Sequence, residues 1–432
     1  MSLFSFVAER LGYIKGAEIG GRYVLPWQSG KPYRPSVLPQ DLVSRYTGWV
    51  YTCASKNATT AAKVPLRLYA GKPSVQSKSR FKTKSVTSEK KQYLSKSPST
   101  HRFMSKAVAV EELVEHPFLD LIYNANEFMN GFDLLELLFL HQELTGNTYW
   151  NIERNPQGVP TEIWPLYPQW TKVIAHRQKF IAGYEFSINE NDKVLYKPDD
   201  IVHFYYANPH TPIMGMGRLQ AVVIAADMST SMNTYEAALM QNDARPDMAI
   251  VLPPDAGIVQ EEEIKRLQKA WYKRHGSIKK SGKVAFLSGG AKIEQISLSP
   301  KELSFLKGRD ATLKEIAGAF GVPMSKLTTD NVNRANAESG EYQYMSDTIL
   351  PMLVRTEQKL NEKLMPMFDE NIFVAFDNPV PQDKEFRLKE RESNLKTGYT
   401  IINEERLIDG KDDIEHGDIP LLPMNIAPLG SQ

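Results

Sequence analysis

Few residues in this 432-residue chain stand at spacings that catalysis requires. Ser277-Ile-Lys-Lys280 has the S-x-x-K spacing of a serine nucleophile with a lysine base, but it lacks the companion motifs of such enzymes. Gly71-Lys72 has no glycine-rich lead-in to cradle a phosphate. His101, His116, His141, His176, His203, His210, His275 and His416 are dispersed, with no metal-ligand spacing to an acid or to a second histidine. Asp199-Asp200 and Asp412-Asp413 read as turns and caps rather than as a metal pair. The single cysteine, Cys53, excludes an intrachain disulfide and a cysteine-based zinc site, and its apolar helical setting makes it a small buried hydrophobe. No catalytic residue, metal site or cofactor is assigned, and neither an ATPase nor a nuclease is expected from this chain.

Two segments carry interaction chemistry instead. Met324–Ala337 is a polar linker with Thr328, Thr329, Asp330, Asn331, Asn333, Arg334 and Asn336, and only Val332 near its centre is apolar. On its own it is as well described as the solvated turn of a helical hairpin. Residues 71–106 hold ten basic residues against one acid, Glu89. Lys78, Arg80, Lys82, Lys84, Lys90 and Lys91 within it are candidate contacts to nucleic acid or an acidic partner, and a disordered or weakly paired surface insertion is the plainer alternative. The chain as a whole is balanced, Lys+Arg 52 against Asp+Glu 51, which argues against a whole-surface DNA binder.

The elements that must position these segments follow from periodicity. Leu303, Leu306, Ala311, Leu313, Ile316, Ala317 and Phe320 recur as on one face of a helix, stopped by Gly321-Val-Pro323. A second helix runs from near Glu338 to Met365, and Pro351 inside it should kink it. Upstream, the pattern gives a Pro-rich arm to about residue 40, a helix over Asp41–Ala62 and a strand over Leu66–Ala70. Glu111–Gly146 reads as helical, and residues 147–206 form a strand-rich body. A long helix over Leu219–Asn242 precedes a small α+β module: strand Met248–Leu252, charged helix Glu261–Arg274, and strands Val284–Leu287 and Ile293–Leu298. If the helices on either side of that module pack antiparallel, it rides at the end of a stalk. A strand at Ile372–Phe376 and helices over Asp383–Lys396 and Ile401–Ile408 follow. The fold class is α+β, not a repeating βαβ pattern. No apolar run spans a bilayer, and Glu9 behind the short apolar patch Leu3–Ala8 argues against a signal peptide, so synthesis in the cytosol is expected.

In this layout the chain resembles the portal (head-to-tail connector) proteins of tailed bacteriophages. The resemblance rests on Val50–Tyr69, a helix running into a Val-Pro-Leu strand, then His116-Pro-Phe-Leu119, Gly146-Asn-Thr-Tyr149, Leu166-Tyr-Pro168 and Asp200-Ile-Val-His-Phe204. Gly215-Met-Gly-Arg-Leu219, Ile316–Pro323, and Leu350-Pro351 with Glu357–Leu364 complete it, in order across residues 45–365. It implies a ring, typically of twelve subunits, at one capsid vertex, through which double-stranded DNA is packaged and ejected. It implies a wing over 41–218 with the basic insertion 71–106, stem helices at 219–246 and 300–322, and a clip at 247–299. It further implies a tunnel loop at 323–337, a kinked wing helix at 338–365 and a crown with tail at 366–432. The clip would dock the large terminase ATPase and later a head-completion adaptor, with Glu261, Glu262, Lys265, Lys269 and Lys273 as candidate contacts. Major capsid protein and scaffold would be further partners, the virion the destination and the host cytoplasm the place of assembly. Thr328 through Arg334 would face DNA, making weak, exchangeable phosphate contacts without sequence readout. A near-neutral chain suits this, because a surface that neutralises many phosphates grips DNA by counterion release. The other reading is a DNA-processing enzyme or monomeric DNA-binding protein that uses the helical hairpin as a probe.

Overall fold

The computed structural model describes residues 35–72, 81–176, 180–189, 191–241, 248–251, 266, 292–295, 305–328, 334–381, 384–408 and 412–420. Two units separate along the chain, Met1–Val37 and Leu38–Gln432, and the core lies in the second. Its longer helices near the site are α1 (Gly48–Ala62), α2 (Gly131–Thr145), α3 (Val223–Gln241), α4 (Phe305–Phe320) and α5 (Leu350–Lys363).

Helix α1 is built on small residues: Cys53, Ala54, Ala58 and Ala61 are fully buried, which lets α2 and α4 approach closely. The single helix expected over Asp41–Ala62 is in fact two, Pro39–Ser44 and α1. The first helix ends at Ser44, and the chain enters α1 through extended Thr47 and Gly48, whose φ of +52° is left-handed. An added Cβ at Gly48 meets nothing within 4 Å. Gly48→Ala should therefore cost only the backbone penalty, about 1 kcal/mol, read as a lower urea midpoint with unchanged slope.

Among the described residues the strands form four sheets. The first has strand order β12-β1-β3-β2, from Ile372–Phe376, Leu66–Lys72, Ala109–Leu113 and Thr83–Ser85. Glu111–Leu113, read above as helical, belongs to β3, where Glu111 stands opposite Ala70 and Glu112 opposite Tyr69. Strand β12 pairs antiparallel with β1, from Leu66 opposite Phe376 to Ala70 opposite Ile372. A strand placed beyond the boundary at residue 365 thus hydrogen-bonds into the sheet begun by residue 66. The second sheet is β5-β4-β9 (Pro160–Leu166, Asn147–Arg154, Ile201–Tyr205), and the third is β6-β7-β8 (Thr171–His176, Phe180–Ser187, Lys193–Tyr196). These match the strand-rich stretch expected over 147–206. Trp150, Phe204, Phe118, Phe139, Phe320 and Phe376 are at most 1% exposed in the core between sheets and helices. Burying each contributes roughly 1.5–3 kcal/mol.

The basic insertion is partly regular. Residues 81–106 carry β2 and two short helices, Ser88–Lys96 and His101–Lys106, seated on a small core of Tyr69, Leu94, Val110 and Phe373. Residues 73–80, including Lys78 and Arg80, lie outside the described residues. In the module expected over 247–299, β10 (Met248–Val251) and β11 (Lys292–Gln295) pair antiparallel. The helix over Glu261–Arg274 lies outside the described residues except at Arg266, and the strand over Val284–Leu287 lies outside them entirely.

Helices α3 and α4 run antiparallel. Arg218, just ahead of α3, reaches Phe320 at the end of α4, whereas Glu236 late in α3 pairs at 2.9 Å with Arg309 early in α4. The long helix expected over Leu219–Asn242 breaks once, at Val222, leaving the single turn Arg218–Ala221 ahead of α3. A wide π turn, Tyr344–Ile349, stands directly before α5, which carries Pro351 in its first turn. Proline has no N–H to bond the carbonyl a turn earlier, and the widened turn absorbs that loss.

Candidate functional site

The polar linker leaves and rejoins the body within a few residues of a buried network. Helix α4 ends at Gly321, whose φ of +68° turns the chain, and Val322 N–H bonds back to Ala317 O at 2.9 Å. A 3-10 turn, Met324–Lys326, follows, and Thr328 N–H closes on Met324 O at 2.9 Å. The chain returns in the helix Arg334–Gln343, four residues ahead of the start expected at Glu338. Thr328 is thus the last described residue of the outgoing leg and Arg334 the first of the returning one. Thr329, Asp330, Asn331, Val332 and Asn333 lie outside the described residues.

Four contacts fasten the base. Lys326 on the outgoing leg forms an ion pair with Glu341 on the returning one, and its ammonium stands 4.9 Å from the centre of the Tyr344 ring. Lys56 of α1 donates to Lys326 O at 2.6 Å. Thr348, in the π turn, donates from its hydroxyl to Gly321 O at 2.8 Å.

Beneath the base lies Glu143 of α2, fully buried. Its carboxylate accepts from Asn57 Nδ2 at 3.0 Å and Tyr206 OH at 2.9 Å, and Arg218 Nη1 stands 3.3 Å away. Burial pushes the Glu143 carboxyl pKa up, against the pull of the Arg218 charge and the donated hydrogen bonds. Asn57 and Arg218 each also donate to Phe320 O at 2.8 Å, capping a carbonyl that the end of α4 leaves without a helical partner. Tyr344 OH donates to Asn57 Oδ1 at 2.9 Å, and the Arg355 guanidinium lies 4.7 Å from the Tyr206 ring centre. One carboxylate therefore ties together α1, α2, the start of the α3 segment, the end of α4 and the π turn. Sequence reasoning missed it, because Glu143 follows His141-Gln142 at the end of α2 and nothing in the pattern sets it apart from Asp133 and Glu136 of the same helix.

The remaining candidate residues divide by surroundings. Lys90 pairs with Asp377 at 3.1 Å and Glu112 at 3.7 Å, and Lys82 with Glu115 at 3.5 Å. Lys84 and Lys91 are exposed. Glu261, Glu262, Lys265, Lys269 and Lys273 lie outside the described residues. Cys53 is buried and its thiol is pushed up to about 12 by desolvation, as suits a packed hydrophobe. His141 and His203 are pushed down to about 3 by burial and stay neutral. Among the described residues, no group of three or more His, Cys, Asp or Glu could hold a metal ion, and no helix is long and apolar enough to cross a membrane.

The fold is similar to those of solved structures. It matches a chain of the neck of a native gene transfer agent particle computed with C12 symmetry (TM-score 0.56), at 22% identity and covering 88% of this chain and 96% of that one. It also matches an HK97 family phage portal protein from Corynebacterium diphtheriae (TM-score 0.51), at 13% identity and covering 81% of this chain and 100% of that one. In sequence it is 25% identical over 343 residues to the probable portal protein of Streptomyces phage phiC31, across 74% of this chain and 73% of the phage protein. The family model for phage portal proteins matches residues 92–409, and the chain belongs to that family.

Proposed function

We propose that copies of this chain, twelve in the complete ring, enclose the channel through which double-stranded DNA enters and leaves a capsid. The observation that carries the reading is the clamp at residues 321–348: both legs of the linker are pinned by the Lys326–Glu341 pair and the Asn57–Glu143–Arg218 network. A loop meant to press on moving DNA needs such a base. In this reading Thr328 through Arg334 line the constriction, 41–218 with 338–365 is the wing, and 219–246 and 300–322 form the stem. Residues 247–299 are the clip and 366–432 the crown. The chain catalyses nothing; the large terminase ATPase, docked on the clip through Glu261, Glu262, Lys265, Lys269 and Lys273, supplies the energy. A head-completion adaptor replaces it after packaging, with scaffold and major capsid protein around the wing. The ring assembles in the host cytoplasm and ends in the virion.

Native mass measurement and negative-stain imaging test the ring, and a particle of about a dozen subunits with a central hole is expected. A discrete dimer with metal-dependent DNA cleavage would favour the enzyme reading instead. Deletion of Thr329–Asn333, which leaves both clamped legs, should abolish DNA packaging while rings still form; packaging at the normal rate would remove the loop from the mechanism. Val332→Trp and Arg334→Glu should each slow packaging without preventing assembly.

A further inference from the structure

The basic insertion sorts its cations. Those facing the sheet are matched: Lys72 pairs with Glu111 at 2.5 Å, and Lys90 with Asp377 and Glu112. Those on the outer side of the two short helices are exposed and form no ion pair among the described residues: Lys91, Lys96, Arg102 and Lys106. The other exposed side chains of those two helices are Ser88, Gln92, Ser95, His101 and Ser105. Every one of them is a hydrogen-bond donor, and no large hydrophobic residue is exposed among the described residues between 81 and 106.

We propose that this outer face binds the phosphate backbone of duplex DNA, at a second DNA contact distinct from residues 323–337. Two features select this occupant over a protein. A protein interface is built around apolar or aromatic anchors, and this face has none. Phosphate recognition draws on Lys, Arg, Ser and Gln donors, which this face carries throughout. The size fits as well. The Ser88–Lys96 helix has nine residues. That is about 14 Å of helix, set against a duplex that carries a charge every ~1.7 Å of its axis, so Lys91 and Lys96 can each reach a phosphate, and Arg102 and Lys106 on the His101–Lys106 helix supply two contacts more. The two helices are held rigidly for this, since Thr100 Oγ1 donates to Leu94 O at 2.6 Å and Leu94, Phe103 and Met104 share one core.

The test measures binding of the full chain to a short labelled duplex across a salt series. The variant replaces Lys91, Lys96, Arg102 and Lys106 with Gln. Each phosphate contact contributes about 0.9 to the slope of log K against log salt, so the native slope should exceed the variant's by about 3–4. Lys91→Gln and Arg102→Gln alone should each remove about one, whereas Lys72→Gln, at a largely buried lysine paired with Glu111, should remove almost nothing. Two duplexes of unrelated sequence should bind alike. Equal slopes for native chain and quadruple variant, or no binding by the native chain at low salt, would overturn the proposal. So would tighter binding of an acidic polypeptide than of the duplex, lost in the same variant. The channel reading is tested separately by the packaging of the loop deletion.

Discussion

Arg218→Ala is expected to lower the unfolding free energy by about 3–5 kcal/mol, the range for removing one partner of a buried ion pair. The Glu143 carboxylate has no exposure to water, and Arg218 is its only ion-pair partner among the described residues. Without the guanidinium, Asn57 and Tyr206 still donate, but the charge is left in a medium that solvates it poorly. Phe320 O loses one of its two donors as well. The measurement is a denaturant midpoint at fixed slope, compared with the double variant Glu143→Gln, Arg218→Met. Neutralising both members removes the stranded charge, so the double variant should be more stable than Arg218→Ala alone. A loss under about 1 kcal/mol for Arg218→Ala would mean that water reaches Glu143 and that the network is not the anchor described.

Glu357→Gln should stabilise the chain at pH 8 by about 3 kcal/mol and leave it unchanged near pH 4. Glu357 is fully buried in α5, accepting from Ser99 Oγ and, at 2.6 Å, from Phe376 N–H. No cation pairs with it among the described residues, and Tyr69, Tyr93 and Asp377 stand in the same surroundings. Burial raises its carboxyl to about 7 from an ordinary 4.5. Between those two values the folded chain holds a proton that the unfolded chain releases. The stability from this group is therefore full below the ordinary value and lost as pH rises through the raised one. Glutamine can accept from Phe376 N–H and donate to Ser99 while never ionising. The difference between variant and native stability should grow from pH 4 to pH 8; a flat difference would show that Glu357 titrates normally.

Much of the fold was legible because it depends on local pattern. The strands between 147 and 206 alternate between turn residues, and Gly321-Val-Pro323 marks the end of α4 with a glycine in the backbone region it favours. Strand β3 was not legible: Ala109-Val-Glu-Glu-Leu113 carries two adjacent glutamates, and only pairing with Lys72 of β1 and Lys90 of the Ser88–Lys96 helix makes them welcome there. The break between Ser44 and Gly48 was hidden inside an apolar period that continues on both sides. For the site, the loop was visible as a run without apolar period, but its anchor was not. Asn57, Glu143, Tyr206, Arg218 and Tyr344 are scattered along the chain, and nothing local marks five polar side chains that meet only after packing.

The pairing of β1 with β12 sets an order of events during synthesis. Leu66 meets Phe376. A ribosome adding about 5–20 residues per second needs on the order of 15–60 s between the two. During that interval β1 can pair with β3 but presents its other edge without its strand, and the core around Phe373 and Tyr69 stays open on one side. Chains truncated anywhere before residue 372 keep that edge for good. Nascent and incomplete products should thus be the sticky form of this protein, sought by chaperones and prone to pair edge to edge, whereas the finished chain closes the edge with its own late strand.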